Sequence, residues 1–398
     1  MPLQRTGFID GLRTTAAFSV LAAHCLIWSG WPGIGLPLIP QAGLLAKIAV
    51  DLFMIISGFV MVFTADQRRA EEPLATPASI ATFYVRRFFR IAPAYYLSLI
   101  AAVLLADQFL GGYTALADRL PWLRNSYYNA RAINYTAENL LLHFSFLFGL
   151  FPNWSFSTQL PDWSLSLEMQ FYLVFPFLAL AVWRFGALAV CCLVLPIWFV
   201  ATVGWLPYFR EPSLLLFKLP VFLAGMLLCQ AALSEAFVRR AMLQLLAIAL
   251  TLTQFLMYGP QSIWIAVCAL VFVAMTAQPW GAFRFVQNGI AYVLDNKVMR
   301  AGAALSYGVY LFHGFMLAIL GSALFRSPAF VAMDVHARSF ILFLAVLGGT
   351  LLVSAVVHIA VERPGIDLGK RIIGTWRTTP VAGGDQGAGI KSTPASSA

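Results

Sequence analysis

Long apolar stretches recur along almost the whole of this chain, and no other feature constrains its fold as strongly. A helix needs about 20 apolar residues to cross the hydrocarbon core of a bilayer, and such stretches follow one another here with mostly short connections. Of the 398 residues, 60% are hydrophobic and only 11% are charged, against roughly 25% charged in ordinary soluble domains. We therefore expect an all-α fold, a polytopic bundle of membrane helices.

The pattern of apolar residues and helix breakers predicts ten membrane helices. Their expected bounds are 13–30, 44–64, 89–107, 163–183, 187–205, 213–232, 241–258, 261–278, 304–324 and 339–361. The stretch 138–152 is apolar but short, so we expect it to be re-entrant or interfacial. We expect one membrane domain over residues 1–373, followed by a disordered tail rich in Gly, Ser, Thr, Ala and Pro at 374–398.

Basic residues in alternate connections predict the orientation, because cytoplasmic loops carry an excess of Lys and Arg. With the N-terminus inside, basic residues on the inner side outnumber those on the outer side about threefold. This bias disappears if 138–152 crosses the membrane. The bias therefore predicts that both termini lie in the cytoplasm, and the absence of a cleavable-signal pattern favours a retained first helix. The same clusters explain the net charge of +9, and nucleic-acid binding is not expected.

Ionisable residues inside membrane helices are the strongest candidates for function, because each costs about 2.5–3.5 kcal/mol at a helix centre on insertion scales. Arg13 and His24 are eleven residues apart in the first span, close to three whole turns, so they share one face. The guanidinium can orient an anionic donor, and the imidazole can act as a base or an acyl acceptor. The structural alternative is a snorkelling arginine and a hydrogen-bonded interior histidine.

A cluster of three arginines, Arg86, Arg87 and Arg90, is expected to open the third helix. Their spacing places them on one side of that helix. Guanidinium groups grouped in this way suit the phosphates of a nucleotide-bearing donor such as coenzyme A. Anchoring at the inner surface of the membrane is the alternative explanation.

Polar residues also recur at helical spacing in later spans. In WSLSLEMQFY, Ser164, Glu168 and Tyr172 form one stripe, and Glu168 is either functional or the partner of an interior arginine. In LSYGVYLFH, Ser306, Tyr310 and His313 share a face, which also suits interhelical hydrogen bonding.

The second span contains VDLFMIISGFV, with Asp51, Ser57 and Gly58. Asp51 is a candidate partner for a positive group, and Gly58 permits a close approach of helices. The five cysteines have no ligand spacing and are interpreted as small core residues, so no metal site is expected. His143, His336 and His358 are expected to be structural or surface groups, although His143 could line a cavity.

Taken in order, these segments resemble the membrane acyltransferase-3 family, which are bacterial membrane-bound O-acyltransferases of surface or exported glycans. Six pieces carry the resemblance, and together they run from residue 9 to 364: IDGLR followed by His24, DLFMIISGF, RRFFRIAPAYY, WSLSLEMQFY, LSYGVYLFH and a closing ERP. Two departures are Thr14, where many members have glycine, and Met54, where many have phenylalanine. Neither replaces an ionisable residue, so they bear on the acceptor or the subgroup and not on the reaction class.

The resemblance implies a role for each matching residue. His24 would be the catalytic histidine, acting with Arg13 and Glu168. The arginines at 86, 87 and 90 would bind acyl-CoA. Substrate-binding or supporting positions would be Asp51, Ser57, Trp163, Ser306, Tyr310 and His313.

The implied reaction moves an acyl group, acetyl being the expected one, from cytoplasmic acyl-CoA to a hydroxyl of an extracytoplasmic glycan such as exopolysaccharide or O-antigen. The expected location is the bacterial cytoplasmic (inner) membrane, and no metal is needed. A lipid or small-molecule acceptor is an alternative. A proton-coupled secondary transporter would also use intramembrane ionisable residues, but residues 1–200 and 201–398 show no repeated motif. A structural subunit of a glycan-export complex is the third possibility.

Overall fold

The computed structural model describes residues 6–31, 33, 41–124, 133–277 and 283–378. The described residues form helices and no strand, which confirms the all-α fold. In chain order the helices are α1 (Gly7–Ser29), α2 (Ala42–Gln67), α3 (Pro77–Leu104), α4 (Ala106–Arg119), α5 (Pro121–Arg124), α6 (Ala137–Phe144), α7 (Trp163–Phe185), α8 (Ala187–Gly204), α9 (Leu215–Leu233), α10 (Phe237–Leu252), α11 (Phe255–Tyr258), α12 (Ile263–Thr276), α13 (Phe283–Leu294), α14 (Lys297–Met316), α15 (Ser322–Phe325), α16 (Pro328–Val331), α17 (Val335–Val357) and α18 (Arg363–Thr378).

Each predicted span corresponds to one helix: α1, α2, α3, α7, α8, α9, α10, α12, α14 and α17. Within the described ranges, eight helical stretches are long and apolar enough to cross a membrane. One of them, Phe237–Thr276, contains both α10 and α12, whereas the more polar α1 is not among the eight. The chain is therefore a multi-pass membrane protein. We call the side where α1 begins the first face and the side where α1 ends the second face.

The start of α3 differs from the prediction, and this changes the setting of the arginine cluster. The helix begins at Pro77, twelve residues before the expected start at 89, with the Thr76 side chain accepting a hydrogen bond from the Ser79 amide. A capping threonine and a proline in the first turn favour helix initiation. The arginines therefore lie well inside α3 and do not open it.

The short apolar stretch 138–152 does not continue as a membrane-spanning helix. Helix α6 has eight residues, and Phe146 then adopts a positive φ of 60°, which turns the chain. The imidazole of His143 is buried: its Nδ1 donates to the Asn139 carbonyl at 2.9 Å and its ring stacks on Phe148. Its Nε2 lies 3.6 Å from the Asp162 carboxylate. His143 thus holds the segment 138–152 in place through these contacts, as expected for a structural residue.

Helices α2 and α9 cross at two glycines. A Cβ atom at Gly58 would lie 2.1 Å from the Phe222 carbonyl oxygen, and one at Gly225 would lie 2.1 Å from the Ile55 carbonyl oxygen. Only glycine permits this backbone separation, which confirms the close approach expected at Gly58.

A fully buried ion pair joins the same two helices. The ammonium of Lys218 on α9 lies 2.7 Å and 3.0 Å from the two carboxylate oxygens of Asp51 on α2. It also donates to Gln254 at 2.8 Å and to the Tyr258 hydroxyl. Asp51 therefore has the positive partner expected of it, and that partner is a lysine of another span. A charge inside the bundle is tolerated here because it is paired and hydrogen-bonded.

Helix α17 continues through a π-helical turn, His358–Glu362, into α18. Gly365 and Gly369 of α18 pack on Pro93 and Phe89 of α3. Helix α18 ends at Thr378, beyond the domain boundary expected at 373, and the tail residues 379–398 lie outside the described residues.

The buried ion pair generates a stability prediction. Lys218→Met leaves the Asp51 carboxylate without its counter-charge, so we expect the free energy of unfolding to fall by about 3–5 kcal/mol. The double variant Asp51→Leu/Lys218→Met removes both charges and should be more stable than Lys218→Met. Thermal unfolding in detergent measures this, with the exposed Lys297→Met as the control. A double variant no more stable than the single one would contradict this explanation.

Candidate functional site

Three adjoining cavities follow one another from the first face to the second. We name them the basic mouth, the central chamber and the histidine cavity. Arg87 and Arg90 line both the basic mouth and the central chamber. Val50 and Tyr310 line both the central chamber and the histidine cavity. The three together form a polar path through an otherwise apolar bundle.

The basic mouth is a cavity of about 410 Å³ between α3 and α18. Its cationic lining consists of Arg68, Arg86, Arg87, Arg90 and Lys370. The guanidinium of Arg86 is held by both oxygens of the Glu72 carboxylate, so its charge is neutralised within the protein. Arginine favours such two-point contacts because its donors form a fixed planar fork. The geometry thus separates Arg86 from the other two arginines of the predicted cluster.

Arg87 is oriented by aromatic rings. Its guanidinium lies 5.5 Å from the Phe83 ring centre and 5.7 Å from that of Tyr172. Its buried Nε has no hydrogen-bond partner within the residues that the structure describes. A buried donor without a partner is costly, and an anionic ligand in the adjoining cavities would supply the missing acceptor.

The central chamber has a volume of about 100 Å³ and brings together residues of six helices. Its polar lining includes Arg13, Ser57, Arg87, Arg90, Glu168, Tyr172, Ser306 and Tyr307. Three guanidiniums therefore face one carboxylate, and the excess positive charge favours an anionic or strongly polarised ligand.

Glu168 is held by hydroxyl groups. The Ser57 hydroxyl donates to its carboxylate at 3.1 Å, and the Tyr172 hydroxyl donates to the same oxygen. Among the described residues, no arginine lies within 4.0 Å of this carboxylate. Glu168 therefore lines the chamber beside the arginines without forming a direct ion pair, which does not favour the structural alternative of a fixed partner for one arginine.

The histidine cavity measures about 800 Å³ and lies toward the second face. It is lined by His24 and, around it, by the aromatic side chains Trp31, Trp122, Phe156 and Trp163 and the polar groups Gln41, Lys47, Glu211, Tyr258 and Gln261. Helix α1 ends at Ser29, five residues beyond His24. His24 is thus nearer the second face than Arg13, which lines the central chamber.

The two histidines of the predicted site are hydrogen-bonded to each other. Nδ1 of His24 lies 2.8 Å from Nε2 of His313, with the rings nearly parallel. Nδ1 of His313 lies 2.6 Å from the Tyr310 carbonyl oxygen and 3.2 Å from the Val309 carbonyl oxygen. A carbonyl only accepts, so His313 carries its proton on Nδ1. When both rings are neutral, His24 donates from Nδ1 and its lone pair lies on Nε2.

Tyr310 separates the central chamber from the histidine cavity. Its hydroxyl donates to the Pro161 carbonyl oxygen at 2.6 Å and lies 2.7 Å from the Ser164 hydroxyl. Its ring also meets Phe53 edge-on, with 6.0 Å between ring centres. The tyrosine is therefore held on both its ring and its hydroxyl, and with Val50 it forms the wall between the two cavities.

The structure brings most of the predicted residues to this path. Arg13, Ser57, Arg87, Arg90, Glu168, Ser306 and Tyr310 line the central chamber, and His24 and Trp163 line the histidine cavity. His313 reaches the path through His24, whereas Asp51 lies in the ion pair with Lys218. Sequence reasoning missed Lys47, Glu211 and Lys218. Lys47 and Lys218 are single basic residues within the predicted spans 44–64 and 213–232, and Glu211 lies in a connection where no helical pattern indicates which way its side chain points.

This arrangement defines a polytopic helical membrane protein with a polar path that ends at a histidine. A family described as acyltransferase domain matches residues 6–359, and the chain belongs to that family. A stretch of 174 residues is 32% identical to the acyltransferase MdmB of Streptomyces mycarofaciens. That match covers 42% of this chain and 38% of the relative. No solved structure matches the chain.

Proposed function

We propose that this protein transfers an acyl group, acetyl in the simplest case, from cytoplasmic acyl-CoA to a hydroxyl of an extracytoplasmic glycan. The observation that carries the proposal is the sequence of cavities, from the arginine-lined mouth to the cavity of His24, in a chain of an acyltransferase family. Acyl-CoA is an anion with a long, narrow arm. Such a donor suits a basic entrance that leads to a chamber of about 100 Å³.

In this proposal the phosphates of the donor bind at Arg87 and Arg90, and the thioester advances toward Tyr310. The orphaned Nε of Arg87 supports this assignment, because it is a buried donor in need of an acceptor. Arg86 contributes less to binding of the donor phosphates, because the Glu72 carboxylate already neutralises its charge. Arg13 and Glu168 flank the arm in the central chamber, where the hydroxyls of Ser57 and Tyr172 fix the carboxylate.

His24 removes the proton from the acceptor hydroxyl through Nε2. The oxygen forms a bond to the thioester carbonyl carbon, the carbon–sulfur bond breaks, and the thiolate of coenzyme A leaves and takes up the proton. In a two-step variant, Nε2 attacks the thioester carbonyl carbon and the thiolate leaves. The acyl group then passes from the imidazole to the hydroxyl, whose proton is taken up by the thiolate. His313 is a positioning residue in both routes, because it directs the His24 lone pair to Nε2.

The excess of basic residues toward the first face supports a cytoplasmic first face. The acceptor then enters the histidine cavity from the second face. The proposed location is the cytoplasmic membrane of a bacterium, with both chain termini inside.

Replacing the histidine tests the central step. His24→Ala removes the base, so we expect acyl transfer in membrane preparations to fall by at least about 100-fold. Incorporation of labelled acetyl from acetyl-CoA into membrane-associated glycan measures this. The matched control is His358→Ala, which removes an imidazole that lines none of the three cavities and should keep near-normal activity. Retained transfer in His24→Ala at equal protein level would overturn the mechanism, and transport without a covalent product would favour a transporter.

The proposed role of Arg87 and Arg90 in binding the donor predicts that their substitution weakens the apparent affinity for acetyl-CoA. Arg87→Met or Arg90→Met removes a charge-assisted hydrogen bond worth about 1.5–3 kcal/mol, so the KM for acetyl-CoA should rise roughly 10- to 150-fold. Initial rates at varied donor concentration give this value, with the exposed Arg239→Met as the control. An unchanged KM for acetyl-CoA in both α3 variants would show that Arg87 and Arg90 do not bind the donor.

The position of Tyr310 between the two cavities predicts that its loss uncouples thioester cleavage from transfer to the acceptor. Tyr310→Ala deletes the ring between the two cavities, so water from the histidine cavity should reach the thioester. We expect release of free coenzyme A in the absence of acceptor to increase severalfold while transfer falls. Tyr310→Phe keeps the ring but loses the bonds to Ser164 and Pro161, and should leak less. A folded Tyr310→Ala variant without added hydrolysis would contradict the role of this wall.

A further inference from the structure

The carboxyl group of Glu211 is a polar feature of the histidine cavity that the reaction above does not use. Glu211 is 1% exposed, yet it lines the cavity. Its buried Oε1 has no hydrogen-bond partner within the part of the chain that the structure describes. Buried carboxyl oxygens without partners are rare because they forfeit the hydration that they had in water. An orphaned oxygen beside a cavity of about 800 Å³ therefore points to a ligand.

The loop that carries Glu211 is firmly held. The Ser213 hydroxyl donates to the Gly149 carbonyl oxygen at 2.9 Å. The Gln170 side chain accepts a hydrogen bond from the Leu215 amide at 2.9 Å through Oε1. It also donates a hydrogen bond to the Ser213 carbonyl oxygen at 2.9 Å through Nε2. These bonds tie the loop between α8 and α9 to α7 and to the turn after α6. Glu211 is thus presented from a fixed backbone, as a pre-organised binding group requires.

Burial raises the pKa of Glu211 to about 7, the effect being opposed by the positive charges of Lys47 and Lys218. A carboxyl with this pKa exchanges between its acid and carboxylate forms near neutral pH. It can therefore both donate to and accept from hydroxyl groups, whereas an ordinary surface glutamate only accepts. Lys47 and Gln261 line the same cavity and add further polar contacts.

Aromatic rings held by neighbouring groups line the same cavity. Trp122 donates from Nε1 to the Trp28 carbonyl oxygen at 3.0 Å, and the Arg338 guanidinium lies 4.8 Å from its ring centre. Trp31 is braced edge-on by His336, with 4.3 Å between ring centres. A sugar ring has apolar C–H faces and a rim of hydroxyls, so it matches flat apolar walls combined with a few planar polar groups. A lipid chain would leave these polar groups without partners.

We propose that Glu211 and the tryptophans of the histidine cavity form the acceptor subsite, which binds one or two sugar residues by their hydroxyl rims and ring faces. This inference rests on the proposed function and adds the group that selects the acceptor. Glu211 binds the sugar, and His24 acts on the hydroxyl that the bound sugar presents.

Steady-state kinetics with de-O-acylated polysaccharide from the source cells tests this role. Glu211→Gln should raise the acceptor KM at least about tenfold and leave the acetyl-CoA KM within about twofold. The matched control is Glu235→Gln, the same change at an exposed position in the connection between α9 and α10, which should alter neither. An unchanged acceptor KM in Glu211→Gln, or an equal rise in the donor KM, overturns the proposal.

A second measurement does not depend on turnover. A hydrophobic carbodiimide reacts with buried protonated carboxyls, and peptide mass spectrometry should find its adduct at Glu211. The same polysaccharide should lower that labelling at least threefold, and unchanged labelling overturns the subsite. Protection without acyl transfer would reject the proposed function and keep the binding site. Transfer without protection, with a normal Glu211→Gln variant, would keep the function and reject the subsite.

Discussion

The ion pair of Asp51 and Lys218 is the interaction on which the rest of the bundle depends. Both side chains are fully buried, and an unpaired charge there would cost several kcal/mol. The pair fixes the register of α2 against α9, and the glycine contact at Gly58 and Gly225 fixes their separation. Because α2 also supplies Ser57 to the central chamber, the same constraint sets where that hydroxyl meets Glu168.

Much of this architecture follows from the sequence, since apolar length and helical spacing are local properties. The helices of the ten predicted spans and the alignment of Ser164, Glu168 and Tyr172 are of that kind. The early start of α3 was missed because the amphipathic turns before Arg86 are too polar to be recognised as part of a span. Asp51 and Lys218 are 167 positions apart in the sequence. Helical spacing relates only residues within one helix, so it cannot predict this pair.

In the candidate site, too, the sequence predicts local features but not the contacts between distant residues. Motif spacing predicted that Arg13 and His24 share a face, but not that they open into different cavities. The hydrogen bond between His24 and His313 links residues 289 positions apart, and it determines which imidazole nitrogen holds the lone pair. Glu211 carried no signal at all, because its importance arises from the folding of a connecting loop beside a cavity. Tertiary contacts, and not residue type, assign these roles.

The wall of Val50 and Tyr310 has an electrical consequence. Where water-accessible space approaches from both faces, the membrane potential falls mainly across the thin layer that remains between them. Each elementary charge that crosses the full potential involves work of about 2.3 kcal/mol per 100 mV. In the proposed reaction the acyl group moves outward and the hydroxyl proton moves inward to the thiolate, so no net charge crosses this layer, and the phosphates of the donor stay on the side from which they came. The proposed transfer thus draws no current across the membrane.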